Sequence, residues 1–111
     1  MYNKDQLLCT NILEATERII DFTKEFKNAV DWKNSELNYD ATLMNFVVIG
    51  EMTIKISDEF KDNHPDTEWH KIYGFRNILA HDYFGVDERE VWKIIQNKIP
   101  ELKIQMEKIL E

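Results

Sequence analysis

Apolar positions recur at the helical period in four stretches of this chain. The first holds Leu8, Ile12, Ala15, Ile19, Phe22 and Phe26, at steps of 4, 3, 4, 3 and 4. One stripe therefore runs the length of a helix from residue 4 to about 26. A short polar stretch follows, containing Trp32 and room for one brief helix. Ser35 is placed to cap the next helix, from about 36 to 60. Its middle, Leu43 to Ile49, is apolar nearly all round, which predicts the most buried helix of the set. Asn45 interrupts that run, and Glu51 falls in line with Leu37, Ala41, Met44 and Val48. A carboxylate at a core-facing position needs a partner. Glu51 is thus expected to be salt-bridged or hydrogen-bonded inside the bundle, with lining a site as the alternative.

Asn63-His64-Pro65-Asp66 reads as a loop, after which Asp66 or Thr67 could cap a helix starting near Glu68. That helix carries Trp69, Ile72, Arg76, Leu79 and Tyr83 on one stripe and ends at Gly85. Asp87 with Glu90 forms a variant capping box for the last helix. There Trp92, Ile95, Ile99, Leu102, Met106 and Ile109 make a long stripe, and Pro100 inside it predicts a kink or break near residues 97–99. The architecture that follows is all-α: an antiparallel four- to five-helix bundle with short connections.

Composition narrows this picture. A chain of 111 residues is one domain by length. Only 3 Gly and 2 Pro argue against a sheet protein built of many hairpins. Cys9 has no second cysteine to pair with and is expected to be a small buried hydrophobe. Residues 1–10 hold no apolar run behind a basic start, and no apolar stretch approaches the ~20 residues of a membrane span. These absences point to the cytoplasm and to no membrane partner. The formal net charge of -7 argues against a protein that grips nucleic acid through a broad basic surface, while leaving room for a local site that handles one phosphate.

The candidate chemistry lies in Arg76-Asn77-Ile78-Leu79-Ala80-His81-Asp82-Tyr83. Arg76 sits on the apolar stripe, and a guanidinium there is costly unless it is paired or at an opening. A neighbouring polar stripe, His70, Gly74, Asn77 and His81, has a glycine in mid-helix, where it costs about 1 kcal/mol against Ala. This stripe is a candidate contact face for a second subunit, with Gly74 allowing close approach. On an ideal helix Arg76 and His81 stand roughly 140° apart, so one chain makes a poor catalytic pair of them. Two chains related by a two-fold axis could pool both in one cleft. Arg76 and Tyr83 share a face, as do Asn77 and His81.

The residue types suit phosphodiester cleavage. Arginine offers a fork of donors to a phosphate whose charge builds in the transition state. Histidine gives or takes a proton near neutrality. RNA carries its own nucleophile, the 2′-hydroxyl, so no metal or other cofactor is required. On residue types alone, an Arg paired with Glu51 and a His satisfied by Asn77 is the better reading.

The order of flanking residues changes that balance. The chain is identified as resembling the HEPN superfamily, in the HepT branch. The resemblance rests on Arg-x4-His-x-Tyr at Arg76, His81 and Tyr83, with Ile49-Gly50-Glu51, His64-Pro65, Trp69, the run from Gly74 to Asp87, and Val91-Trp92 in order around it. It spans essentially the whole chain, residues 1–111. It implies a helical bundle that acts as a homodimer with Arg and His of both chains near a shared cleft. It further implies a metal-independent endoribonuclease that is the toxin of a toxin–antitoxin pair. The antitoxin would be a minimal nucleotidyltransferase of the MntA type, which transfers AMP onto Tyr83. Carried over, Arg76 stabilises the phosphate and His81 is the acid/base. Asn77, Asp82 and Glu51 are supporting residues. An AMP on Tyr83 would put negative charge and bulk beside Arg76.

Other candidates carry little. His64 and His70, six apart, fit no standard metal spacing. Ser35 and Ser57 have no nearby His to activate them. With no Gly-rich phosphate loop, the chain should not bind ATP by itself. The competing function is a non-catalytic binding subunit of a nucleotidyltransferase, with the motif kept as a docking surface.

Overall fold

The computed structural model describes residues 2–77 and 87–111. Among them are six α-helices and one 3₁₀ turn, with no strand: α1 (Lys4–Thr23), α2 (Ala29–Asn34), α3 (Glu36–Lys55), α4 (Asp58–Asn63), α5 (Trp69–Tyr73), the 3₁₀ turn Gly74–Asn77, and α6 (Glu88–Ile109). The expected all-α bundle is therefore observed, with two more short helices than the four apolar stripes announced.

Three long helices make the frame, and polar contacts at their ends fix its sense. Asn38 at the start of α3 donates to the Phe22 carbonyl at the end of α1 (2.9 Å). Asp5 at the start of α1 accepts from Ser57 just beyond α3. The Tyr2 hydroxyl donates to the Leu110 carbonyl after α6 (2.9 Å). So α1 runs antiparallel to both α3 and α6, and it packs on both. The core between them holds Leu8, Ile12, Ala15 and Ile19 of α1 with Ile95, Ile99, Leu102 and Met106 of α6, the stripes read from the period. Trp32 of α2 is fully buried against Tyr39 and Trp92. Cys9 is also fully buried, and burial pushes its thiol pKa up to about 12, so it is the expected inert hydrophobe.

Several boundaries differ from the expectation, each for a local reason. The first helix stops at Thr23, whose hydroxyl bonds back to Ile19 O (2.7 Å), while Phe26 still packs on the core beyond the helix. Ser35 stands at the N-cap of α3, but its hydroxyl bonds the Asn38 side chain and not a backbone N–H. The helix expected to reach residue 60 breaks at Ile56 and Ser57. Ser57 adopts an extended conformation and caps α4 by accepting from Phe60 N, with Asp5 holding both its N–H and its hydroxyl. A short capping serine thus outweighs the helical period. Glu68 occupies the N-cap of α5 without a side-chain cap bond, whereas Thr67 is buried. The Glu68 carboxylate instead bridges Lys71 (2.7 Å) and Lys98 (3.7 Å), tying α5 to α6. Asp87 caps α6 through Arg89 N, but Glu90 pairs with Lys93, so the reciprocal half of the capping box is missing. α6 passes through Pro100 without a break. Pro100 and Gln96 are both exposed, so the carbonyl left without its N–H partner faces water, and the buried stripe on the opposite face keeps the helix together.

The Asp5–Ser57 contact gives a pH prediction. Hydrogen bonding from the Ser57 backbone, more than any other contact, holds the Asp5 carboxyl below its usual 3.8. A carboxyl depressed on folding stabilises the fold above the unfolded pKa, and that contribution is lost as pH falls through the folded value. Because the group faces water, its worth is at most about 1 kcal/mol. Asp5→Asn is expected to lower the urea midpoint slightly at pH 7 and by less at pH 3. Equal midpoints at both pH values would remove this role from Asp5.

Candidate active site

Arg76 is placed by α3. Gly50 and Glu51 lie on the turn of α3 that meets the 3₁₀ segment. A Cβ on Gly50 would lie 2.5 Å from the backbone nitrogen of Arg76, 2.7 Å from its Cβ and 2.9 Å from its Cα. The backbone of Arg76 therefore rests directly on the glycine. One residue earlier, Phe75 meets the buried Phe46 of α3 edge to face, ring centres 5.1 Å apart at 82°. Two contacts from one helix thus fix the turn and leave the arginine side chain at the surface.

The guanidinium is held from two sides. Its Nε lies 3.4 Å from Glu51 Oε1, and NH1 donates to the Tyr73 hydroxyl at 3.1 Å. The pair is open to water, with side-chain exposures of 39% for Arg76 and 44% for Glu51, so it orients more than it stabilises. The Tyr73 hydroxyl bond and the Glu51 charge hold the Arg76 pKa above its ordinary, already high value. It is a permanent cation. NH2 has no partner among the described residues, so part of the donor fork stays available to an anion.

This arrangement corrects two expectations. Glu51 does pair with Arg76, but outside the core. Its stripe is the outer face of α3, where Leu37 is 82% and Met44 53% exposed. The buried face is Tyr39, Thr42, Leu43, Phe46, Ile49, Gly50 and Thr53. A helix apolar nearly all round does not announce which face its neighbours will cover. Asn45, the other polar residue there, is buried and satisfied by donating to Ala41 O (2.8 Å). Second, Arg76 is not on a continuous α-helical stripe, because α5 ends at Tyr73 and tightens at Gly74. The angle calculated for an ideal α-helix does not apply from there. Within the chain, a close backbone approach is made at Gly50, and a Cβ on Gly74 meets nothing within 4 Å.

Of the expected site residues, the structure brings Arg76 and Glu51 together and leaves Asn77 exposed at the end of the 3₁₀ turn. His81, Asp82 and Tyr83 lie outside the described residues. Tyr73 was missed as a site residue. Its signal was present, since residues three apart on a helical turn face each other. Gly50 was visible as a glycine inside a buried helix, a position that costs stability unless something packs against it.

The sequence profile of the HepT-like ribonuclease family matches residues 12–109. The chain belongs to that family. A Thermococcus cleftensis protein, named provisionally as ribonuclease HepT, is 37% identical over 109 residues, covering 96% of this chain and 94% of its own. A Methanocaldococcus jannaschii protein is 34% identical over 97 residues, covering 87% of this chain and 88% of its own. A Caldanaerobacter subterraneus protein is 33% identical over 101 residues, covering 91% and 89%. Both are named provisionally as RNases. No solved structure matches. The expectation of a HepT-like ribonuclease is met at the level of the family. No described helix of this HepT-like chain is long and apolar enough to cross a membrane.

Proposed function

We propose that this HepT-like protein is a metal-independent endoribonuclease that cleaves RNA as a dimer, with Arg76 and His81 of the two chains pooled in one site. The observation that carries the reading is the exposed, permanently charged Arg76, seated on Gly50 with part of its donor fork unused, in a chain matched to the ribonuclease family over 12–109. The 2′-oxygen attacks the adjacent phosphorus and the bond to the 5′-oxygen breaks, leaving a cyclic phosphate and a free 5′-hydroxyl. Arg76 meets the charge that develops on the phosphoryl oxygens. The His81 imidazole takes the proton of the 2′-hydroxyl or gives one to the leaving oxygen. In the cell such a protein serves as the toxin of a toxin–antitoxin pair. A cognate nucleotidyltransferase silences it by transferring AMP onto Tyr83, where the added phosphate would compete for Arg76.

The test is cleavage of a labelled RNA in EDTA. Protein whose intact mass shows no AMP is set beside His81→Ala and Arg76→Ala. The parent is expected to cut, and each variant to lose at least about 100-fold in rate with its helical content unchanged. Cutting that survives both substitutions would falsify the assignment. No cutting by any of the three would move the function to a non-catalytic partner of the transferase.

A further inference from the structure

α4 and α5 meet at a shallow hollow of about 390 Å³ lined by Lys61, Trp69, His70 and Tyr73. Trp69 and Tyr73 are four apart on α5 and so share a face. Trp69 forms a fixed wall, because its indole N–H donates to His64 O at 3.0 Å and its ring stands against Phe60. Tyr73 is 38% exposed, and its hydroxyl is the atom that Arg76 NH1 contacts. The side chains of Lys61 and His70 make no hydrogen bond or close ion pair among the described residues, although the Lys61 charge helps to lower the Asp5 pKa. Lys71 and Lys98 on the neighbouring surface are both tied to Glu68. The Arg76 guanidinium lies over one face of the Tyr73 ring, 5.6 Å from its centre, which leaves the other face for a base. In a chain of net charge -7, a lysine and a half-covered aromatic ring sharing one hollow beside the arginine form a local exception.

We infer that this hollow is the subsite for the nucleotide next to the phosphate that Arg76 engages, with the base on the Tyr73 ring and the adjoining phosphate at Lys61. The inference rests on the ribonuclease reading and extends it to where RNA lies. Single-stranded RNA is held by stacking its unpaired bases on aromatic rings and its phosphates on lysine or arginine, and this hollow offers one of each. It also explains how an acidic protein handles RNA: one base and two phosphates are gripped locally, with no basic groove.

The experiment uses a short 2′-O-methyl oligoribonucleotide, which cannot be cut by 2′-oxygen attack, and reads its Kd by fluorescence anisotropy. Tyr73→Ala is expected to weaken binding on the order of 10- to 100-fold. Tyr73→Phe keeps the ring and loses only the hydroxyl's hold on Arg76, so it should weaken binding clearly less than Tyr73→Ala. Lys61→Ala should weaken binding and lower the salt slope by about one unit. Circular dichroism confirms that each variant is folded. Parent-like binding by Tyr73→Ala would overturn the subsite. So would equal losses in Tyr73→Phe and Tyr73→Ala, because the hydroxyl's hold on Arg76 would then be all that matters. Failure of the ribonuclease reading is seen separately, as no cutting of unmodified RNA by a parent protein that still binds the methylated one.

Discussion

Gly50→Ala is expected to cost both stability and cleavage. Alanine is the better helix former by about 1 kcal/mol, so at an open helical position this change would stabilise. Here the new methyl would lie 2.5 Å from the backbone nitrogen of Arg76 and 2.9 Å from its Cα. Backbone cannot rotate aside as the end of a flexible side chain can, so the 3₁₀ turn or α3 must move. Overpacking of this kind costs on the order of 1–3 kcal/mol or more, which outweighs the propensity gain. The displaced atoms belong to the residue meant to meet the phosphate. A shift of about 1 Å there can lower a rate on the order of 100-fold. Gly74→Ala is the matched control, since its Cβ meets nothing within 4 Å and its φ of -61 is ordinary for alanine. It should be neutral or slightly stabilising. Urea midpoints with unchanged m-values, together with cleavage rates at a temperature where every variant is folded, decide the matter. Parent-like values for Gly50→Ala would mean that α3 does not seat Arg76.

Phe46→Ala carries the largest expected loss of stability. Phe46 is fully buried in α3, and its ring is the partner of Phe75. Truncating a buried phenylalanine costs about 3–5 kcal/mol through lost burial and the cavity left behind. A domain has only about 5–15 kcal/mol in total, so much of its stability goes. The corresponding fall in Tm is on the order of 10–20 °C. The cavity also opens beneath Phe75, one residue from Arg76, so cleavage should fall further than the unfolded fraction alone explains. Phe46→Leu, which refills most of the space, is expected to recover the greater part of both. A Tm within 3 °C of the parent for Phe46→Ala would show that the site-bearing turn packs without this ring; the threshold is roughly the effect of 1 kcal/mol.

What the sequence determined by itself was the three long helices α1, α3 and α6 and the two stripes of α1 and α6. A helix with one apolar face has only one way to lie. Leu8, Ile12, Ala15 and Ile19 had to meet Ile95, Ile99, Leu102 and Met106 or face water. The candidate motif was also legible, because the order of residues around Arg76 is a property of the sequence alone, and so was the idea that Arg76 could pair with Glu51. The tertiary structure decided the rest. α3 is apolar nearly all round, so only its neighbours settle that Phe46 and Gly50 turn inward while Leu37 and Met44 stay exposed. The break at Ser57 depends on Asp5, 52 residues away, and no local pattern contains that contact. The role of Gly50 appears only when Arg76 is laid across it from 26 positions further along the chain, because a close approach is made by two segments and neither carries the sign of it alone.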